Sequence, residues 1–132
     1  AVETGPAEIA VQQPAGTDLV DGAASIGFGS QNVGATSAAK IFTITNSGNA
    51  DLTGLAITKD GAHAGDFTVG APGATTLPPA ASTTFTVTFT PAANGARSAA
   101  IHIANNDSNE NPFYIGLTGT GIGAPRLMRG VR

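Results

Sequence analysis

The chain has 132 residues and a mass of 13.0 kDa, enough for one domain with short tails. Hydrophobic residues make up 41% and charged residues only 11%, which permits a buried core but not the clustered Lys and Arg that nucleic acid requires. With no cysteine and two histidines, disulfides, thiol nucleophiles and cysteine-held metals are excluded, and little is left for an acid–base centre.

Taken in chain order, the pattern is period-two alternation broken by Gly, Pro and Asn, with no helical periodicity in the body. Glu8 to Gln12, Ser25 to Phe28, Leu52 to Thr58 and Asp66 to Val69 read as weaker strands. Lys40 to Thr45 reads as a strand with Phe42 and Ile44 inward. Ser82 to Thr90, closed by Pro91, is the clearest: Phe85, Val87 and Phe89 share one face, and Thr84, Thr86, Thr88 and Thr90 the other. Ala99 to Ile103 turns Ile101 and Ile103 inward and His102 outward, and Phe113, Ile115 and Leu117 give the last strand its buried face. Asn46-Ser47-Gly48-Asn49, Asp60-Gly61 and Asn94-Gly95 are turn signals, because Asn, Asp and Gly tolerate positive φ. Short, evenly spaced strands of this kind predict an all-β sandwich of seven to eight strands with short N- and C-terminal tails. Its divisions are 1–22, an N-terminal strand and linker; 23–121, the sandwich; and 122–132, a basic tail.

Charge is uneven along the chain. The balance is −6 through Pro125, and Arg126, Arg129 and Arg132 add +3 in the tail. Such a tail is either solvated or docked on an acidic body, its own or a neighbour's. No apolar run approaches the roughly 18 residues a membrane span needs, so membrane insertion is not expected. The chain opens Ala1-Val2-Glu3 without an initiator Met, as a processed export product or a trimmed chain would.

Several motifs occur in a fixed order: Phe28-Gly29-Ser30-Gln31-Asn32-Val33-Gly34, Phe42-Thr43-Ile44-Thr45-Asn46-Ser47-Gly48, Asp66-Phe67-Thr68-Val69, the strand ending at Pro91, Ile101 through Pro112, and Leu117-Thr118-Gly119-Thr120-Gly121. Together they resemble the choice-of-anchor D repeats of bacterial surface and secreted proteins. Those repeats are related to the immunoglobulin-like domains of abnormal-spindle and hydin proteins and, more distantly, to major sperm protein. The resemblance spans roughly Pro6 to Gly121. It implies an immunoglobulin-like sandwich, an extracellular or cell-surface location in bacteria, and no shared catalytic residues. One departure is Ala80, where the family usually has Gly, so a different turn is expected before the long strand.

The Asn105 to Asn111 loop offers side-chain oxygens at Asn105, Asp107, Asn109 and Glu110, the donor type calcium takes. It lacks the full acidic set and the central Gly of a dedicated calcium loop, so the competing reading is Asx turns capping a hairpin. Apart from that candidate ion no cofactor is expected. Gly119 to Gly123 has the glycines of a phosphate loop but no following helix, since Ala124-Pro125 comes next. His63 and His102 have no second ligand or base at useful spacing. The threonine row offers a regular hydroxyl array for ice or a glycan, which is also the ordinary wet face of a strand. Lys40 and Lys59 are formal candidates for isopeptide bonds, with no partner identified by spacing. An enzyme is not expected.

The expected function is that of a non-catalytic structural protein of the cell surface or extracellular space. Its partners would be copies of itself, assembled head-to-tail into a filament or lattice through Ile9 and Val11 of the N-terminal strand and Arg126, Leu127, Arg129 and Arg132 of the tail. The alternative is a monomeric adhesion or ligand-binding module that takes a surface ligand or glycan.

Overall fold

A computed structural model of the chain describes residues 7–123, and the candidate assembly residues Arg126, Leu127, Arg129 and Arg132 lie outside them. Eight strands run in chain order: β1 (Ile9–Gln12), β2 (Ala24–Asn32), β3 (Lys40–Asn46), β4 (Ala56–Asp60), β5 (Phe67–Val69), β6 (Ser82–Phe89), β7 (Gly95–Ala104) and β8 (Phe113–Ile122). One three-residue 3-10 turn, Ala64–Asp66, precedes β5. The strands form two four-stranded sheets, ordered β1-β3-β6-β5 and β2-β8-β7-β4. All pairings are antiparallel except that of β2 with β8, which is parallel. The β-sandwich that the alternation predicts, of the immunoglobulin-like type that the resemblance implies, is the architecture found.

Alternation explains the core. Phe42, Ile44, Phe85, Val87 and Phe89 of the first sheet face Ile101, Ile103, Phe113, Ile115 and Leu117 of the second, and all are buried. Phe42 stacks on Phe85 across the β3–β6 pair at 5.0 Å between ring centres, and Phe67 stacks on Phe89 at 4.9 Å. Phe28 meets Phe67 edge-on at 5.6 Å, half-buried at the margin.

Three details differ from the sequence reading. The fourth strand lies at Ala56–Asp60 rather than at Leu52 to Thr58. Leu52 instead bridges Leu77, with both buried, and Gly54 at φ 70° bends the chain before β4 begins. Gln13 to Gly22 is folded rather than a loose linker: Gln13 N–H donates to Thr17 O, and Leu19 N–H returns to Val11 O at 2.8 Å. Finally, β1, assigned by sequence to a segment ahead of the sandwich, pairs with β3 in register Ile9 to Asn46, and its Ile9 and Val11 are buried in the chain's own core.

Ala80 keeps the turn that a glycine would make. It sits at φ 72°, and Ala81 N–H donates to Pro78 O at 3.0 Å, the closure of a type II turn with Pro79 leading. The expected departure in turn geometry is therefore absorbed as backbone strain at one residue.

Candidate functional site

The polar groups that the fold brings together are mostly engaged with one another. Asn46, at the end of β3, is fully buried and bonded on every side. Its Nδ2 donates to Ala50 O at 2.7 Å and Leu77 O at 2.8 Å, while Oδ1 accepts from Gly48 N at 3.0 Å and Glu8 N at 3.3 Å. Asp66 and Arg97 form a sheltered ion pair, Nε to Oδ2 at 2.6 Å, with Ala92 N–H donating to the same oxygen at 3.3 Å. The Arg97 hydrogen bond lowers the Asp66 carboxyl below its ordinary value, against the opposing effect of burial.

The loop weighed for calcium takes the Asx-turn form of the competing reading, and a different set of acids converges beside it. Asn105 is buried, and its amide nitrogen donates to Ile103 O at 2.9 Å and Glu110 O at 3.0 Å. Its oxygen accepts from Asp107 N at 2.7 Å, an Asx turn. Asn109 is exposed. The acids that do converge are Asp107, Glu110 and Glu8, with carboxylate oxygens within 4.8 Å of one another. Glu8 comes from the opposite end of the chain, beside β1, so linear spacing held no signal for it. Asp107 Oδ2 accepts the Ile9 N–H at 3.1 Å, tying the loop to the first strand. Burial, then the neighbouring Glu8 and Asp107, push the Glu110 carboxyl up to about 8. These three are the residues of the described chain that a cation would find, and here they act as a clamp on β1.

The histidines have partners that linear spacing did not reveal. His63 Nδ1 accepts from Ser98 N at 3.0 Å, fastening the 3-10 turn to β7. His102 Nε2 donates to Asp60 on β4 at 3.0 Å, and its ring meets Tyr114 edge-on at 5.2 Å. Lys59 Nζ donates to Phe67 O at 2.6 Å, bridging the two sheets at one side, and Lys40 Nζ lies 5.5 Å from the Phe28 ring centre. Gly119 and Gly121 of the supposed phosphate loop sit inside β8, and Gly123 follows its last residue. A Cβ on Gly119 would lie 2.5 Å from Phe89 Cε2, and one on Gly121 would collide with Ala93 O.

The outer face of the first sheet is uncharged. Thr43 pairs with Thr84, Thr45 with Ser82, and Thr68 with Thr88, while Ile41 lies opposite Thr86. A shallow hollow of about 390 Å³ opens beside Ile41, lined also by Gln13, Pro14, Lys40 and Thr43. Among the described residues no helix is long and apolar enough to cross a membrane.

Comparison with known proteins bears on this arrangement. The sequence profile of the family described as "Abnormal spindle-like microcephaly-assoc'd, ASPM-SPD-2-Hydin" matches residues 19–112. No curated protein sequence matches. Among solved structures, the chain is similar to a protein of unknown function from Porphyromonas gingivalis W83, with a TM-score of 0.59 and 14% identity over 90% of this chain and 68% of that one. It is similar to the seventh PapD-like domain of human CEP192, with a TM-score of 0.57 and 15% identity over 93% and 92%. It also resembles part of the secreted serine protease VesC from Vibrio cholerae, with a TM-score of 0.55 and 18% identity over 75% of this chain and 22% of the protease. At these identities the structural likeness speaks to fold.

Proposed function

The chain belongs to the ASPM-SPD-2-Hydin (ASH) family, a non-catalytic immunoglobulin-like fold, and on that premise we propose that it is a binding module that works through its sheet margins, with copies of itself as partners. The observation that carries this reading is the contrast between its interior and its rim. Asn46, Asp66, Arg97, Glu8, Asp107 and Glu110 are engaged with neighbours inside the fold, while a sheet margin offers backbone for pairing. Charge density of 11% leaves little repulsion between copies. A surface or extracellular setting, of the kind the choice-of-anchor D resemblance implies, goes with this reading, as does a filament or lattice if a second contact joins the pairs.

Head-to-tail assembly through Ile9 and Val11 would require β1 to leave β3 and uncover the core, so a margin that no segment pairs with among the described residues is the simpler route. A second reading, a monomeric module that takes a glycan, is favoured by the uncharged hydroxyl face around Thr43 and Thr84. Sedimentation of the 132-residue chain in salt-containing buffer over a wide concentration range separates the two. Concentration-dependent association is expected. A strictly monomeric particle at the highest soluble concentration would overturn the self-association reading.

A further inference from the structure

The four sheet margins are not equally protected. Bare strand edges are templates for pairing, and proteins blunt them with charge, shortness or covering groups. On β1, Asp107 takes the Ile9 N–H, and Leu19 donates to Val11 O. β5 is three residues long, and Lys59 caps its Phe67 carbonyl. β4 is five residues long and carries Lys59 and Asp60. β2 differs from all three. It is nine residues long, Ala-Ser-Ile-Gly-Phe-Gly-Ser-Gln-Asn, with no charge and no proline. β8 lies on one side of it, and among the described residues no other segment pairs with its far side.

The exposed apolar side chains point to the same margin. Val20, 65% exposed, stands just before β2, where its carbonyl accepts the Ala24 N–H at 2.9 Å. Val33 and Ile122, 38% and 47% exposed, are joined by a 2.9 Å backbone bond at the other end. So three of the five large exposed hydrophobics lie near the two ends of one uncharged edge.

We propose that two copies of this chain pair antiparallel through β2, joining their second sheets into one continuous sheet across a two-fold axis. This rests on the self-association reading above and adds the surface. Antiparallel pairing of a strand with itself is isologous, so the Val20 end of one copy meets the Val33 and Ile122 end of the other, and the reverse. The register break between Gly27 and Ser30, where Gly29 sits at φ 71°, divides β2 into two arms. With both breaks on the axis, the first arm of one copy lies along the second arm of its partner. No like charges then oppose each other, because the strand has none. Such a pair is closed, so a filament would need a different second contact.

The test uses the full chain with S25K/S30K, at two exposed β2 positions, and with the opposite variant S25E/S30E. Sedimentation gives the oligomeric state, and thermal melting of dilute samples checks the fold. The expected result is a wild-type dimer, association weakened at least about tenfold in each variant by like charge across the axis, and recovery when the two variants are mixed. Recovery on mixing cannot arise from misfolding. If wild type and both variants associate equally, self-association stands and the β2 interface is overturned. If the wild type is monomeric throughout, both fall. If it becomes dimeric only after residues 124–132 are removed, the edge belongs to the chain's own tail and pairing as stated is overturned.

Discussion

Asn46 and Leu77 lie 31 residues apart, and the Asn46 amide donates to the Leu77 carbonyl at 2.8 Å inside the sandwich. That bond holds the loop bearing Leu77 against the end of β3, and the same side chain also holds Gly48 and Glu8. Removing it strands several buried backbone groups at once. Asn46→Ala is therefore expected to cost about 3 kcal/mol, read from the shift in urea midpoint at unchanged slope.

Ala80 gives a prediction of the opposite sign. An L-residue at φ 72° is strained, and Pro79 before it already fixes the turn. Ala80→Gly relieves that strain at the cost of some unfolded-state entropy. A net gain of about 0.5–1 kcal/mol is expected by denaturant melting.

Gly119 has no room for a side chain beneath Phe89. Gly119→Ala drives a methyl into the ring face and is expected to destabilise by about 2 kcal/mol, whereas Thr120→Ala on the exposed face beside it changes little.

The carboxyl clamp predicts a pH dependence. Glu110, ordinarily near 4.5, is raised to about 8, so between those values the folded chain keeps a proton that the unfolded chain releases. The folded state binds more protons there, and stability must fall as pH climbs from about 5 to about 8. Asp66 acts in the acid range with the opposite sign: its lowered carboxyl stabilises at neutral pH, and that contribution is lost as pH falls below 3.8. Denaturant midpoints measured across pH are expected to decline toward pH 8 in wild type and to flatten in Glu110→Gln. An unchanged slope in the variant would show that this carboxyl does not hold the proton.

How far the chain could be read depends on the range of the signal. Local alternation located Phe85, Val87 and Phe89 on a buried face, and Ile101 and Ile103 likewise, because a two-residue period is written in adjacent positions. Leu52 misled for the same reason, since an apolar residue buried by a single bridge to Leu77 looks like part of a strand. Asn46 read as an ordinary turn residue, and nothing in its neighbourhood announced Leu77 or Glu8 as partners. Asp107 and Glu110 were visible as a loop pair, but Glu8, about a hundred residues away, completes the cluster only after β1 docks. Of β2, which runs from Ala24 to Asn32, the sequence showed only a weaker strand at Ser25 to Phe28. Its edge position depends on parallel pairing with β8, which no short window contains.

Amide hydrogen exchange of the native chain at low and high protein concentration tests directly whether β2 is the working surface. The prediction is that β2 amides between Ser25 and Gln31 gain protection on concentration, while Ile9, already held by Asp107, stays equally protected throughout. Protection gained at β4 or β5 with β2 unchanged would contradict it.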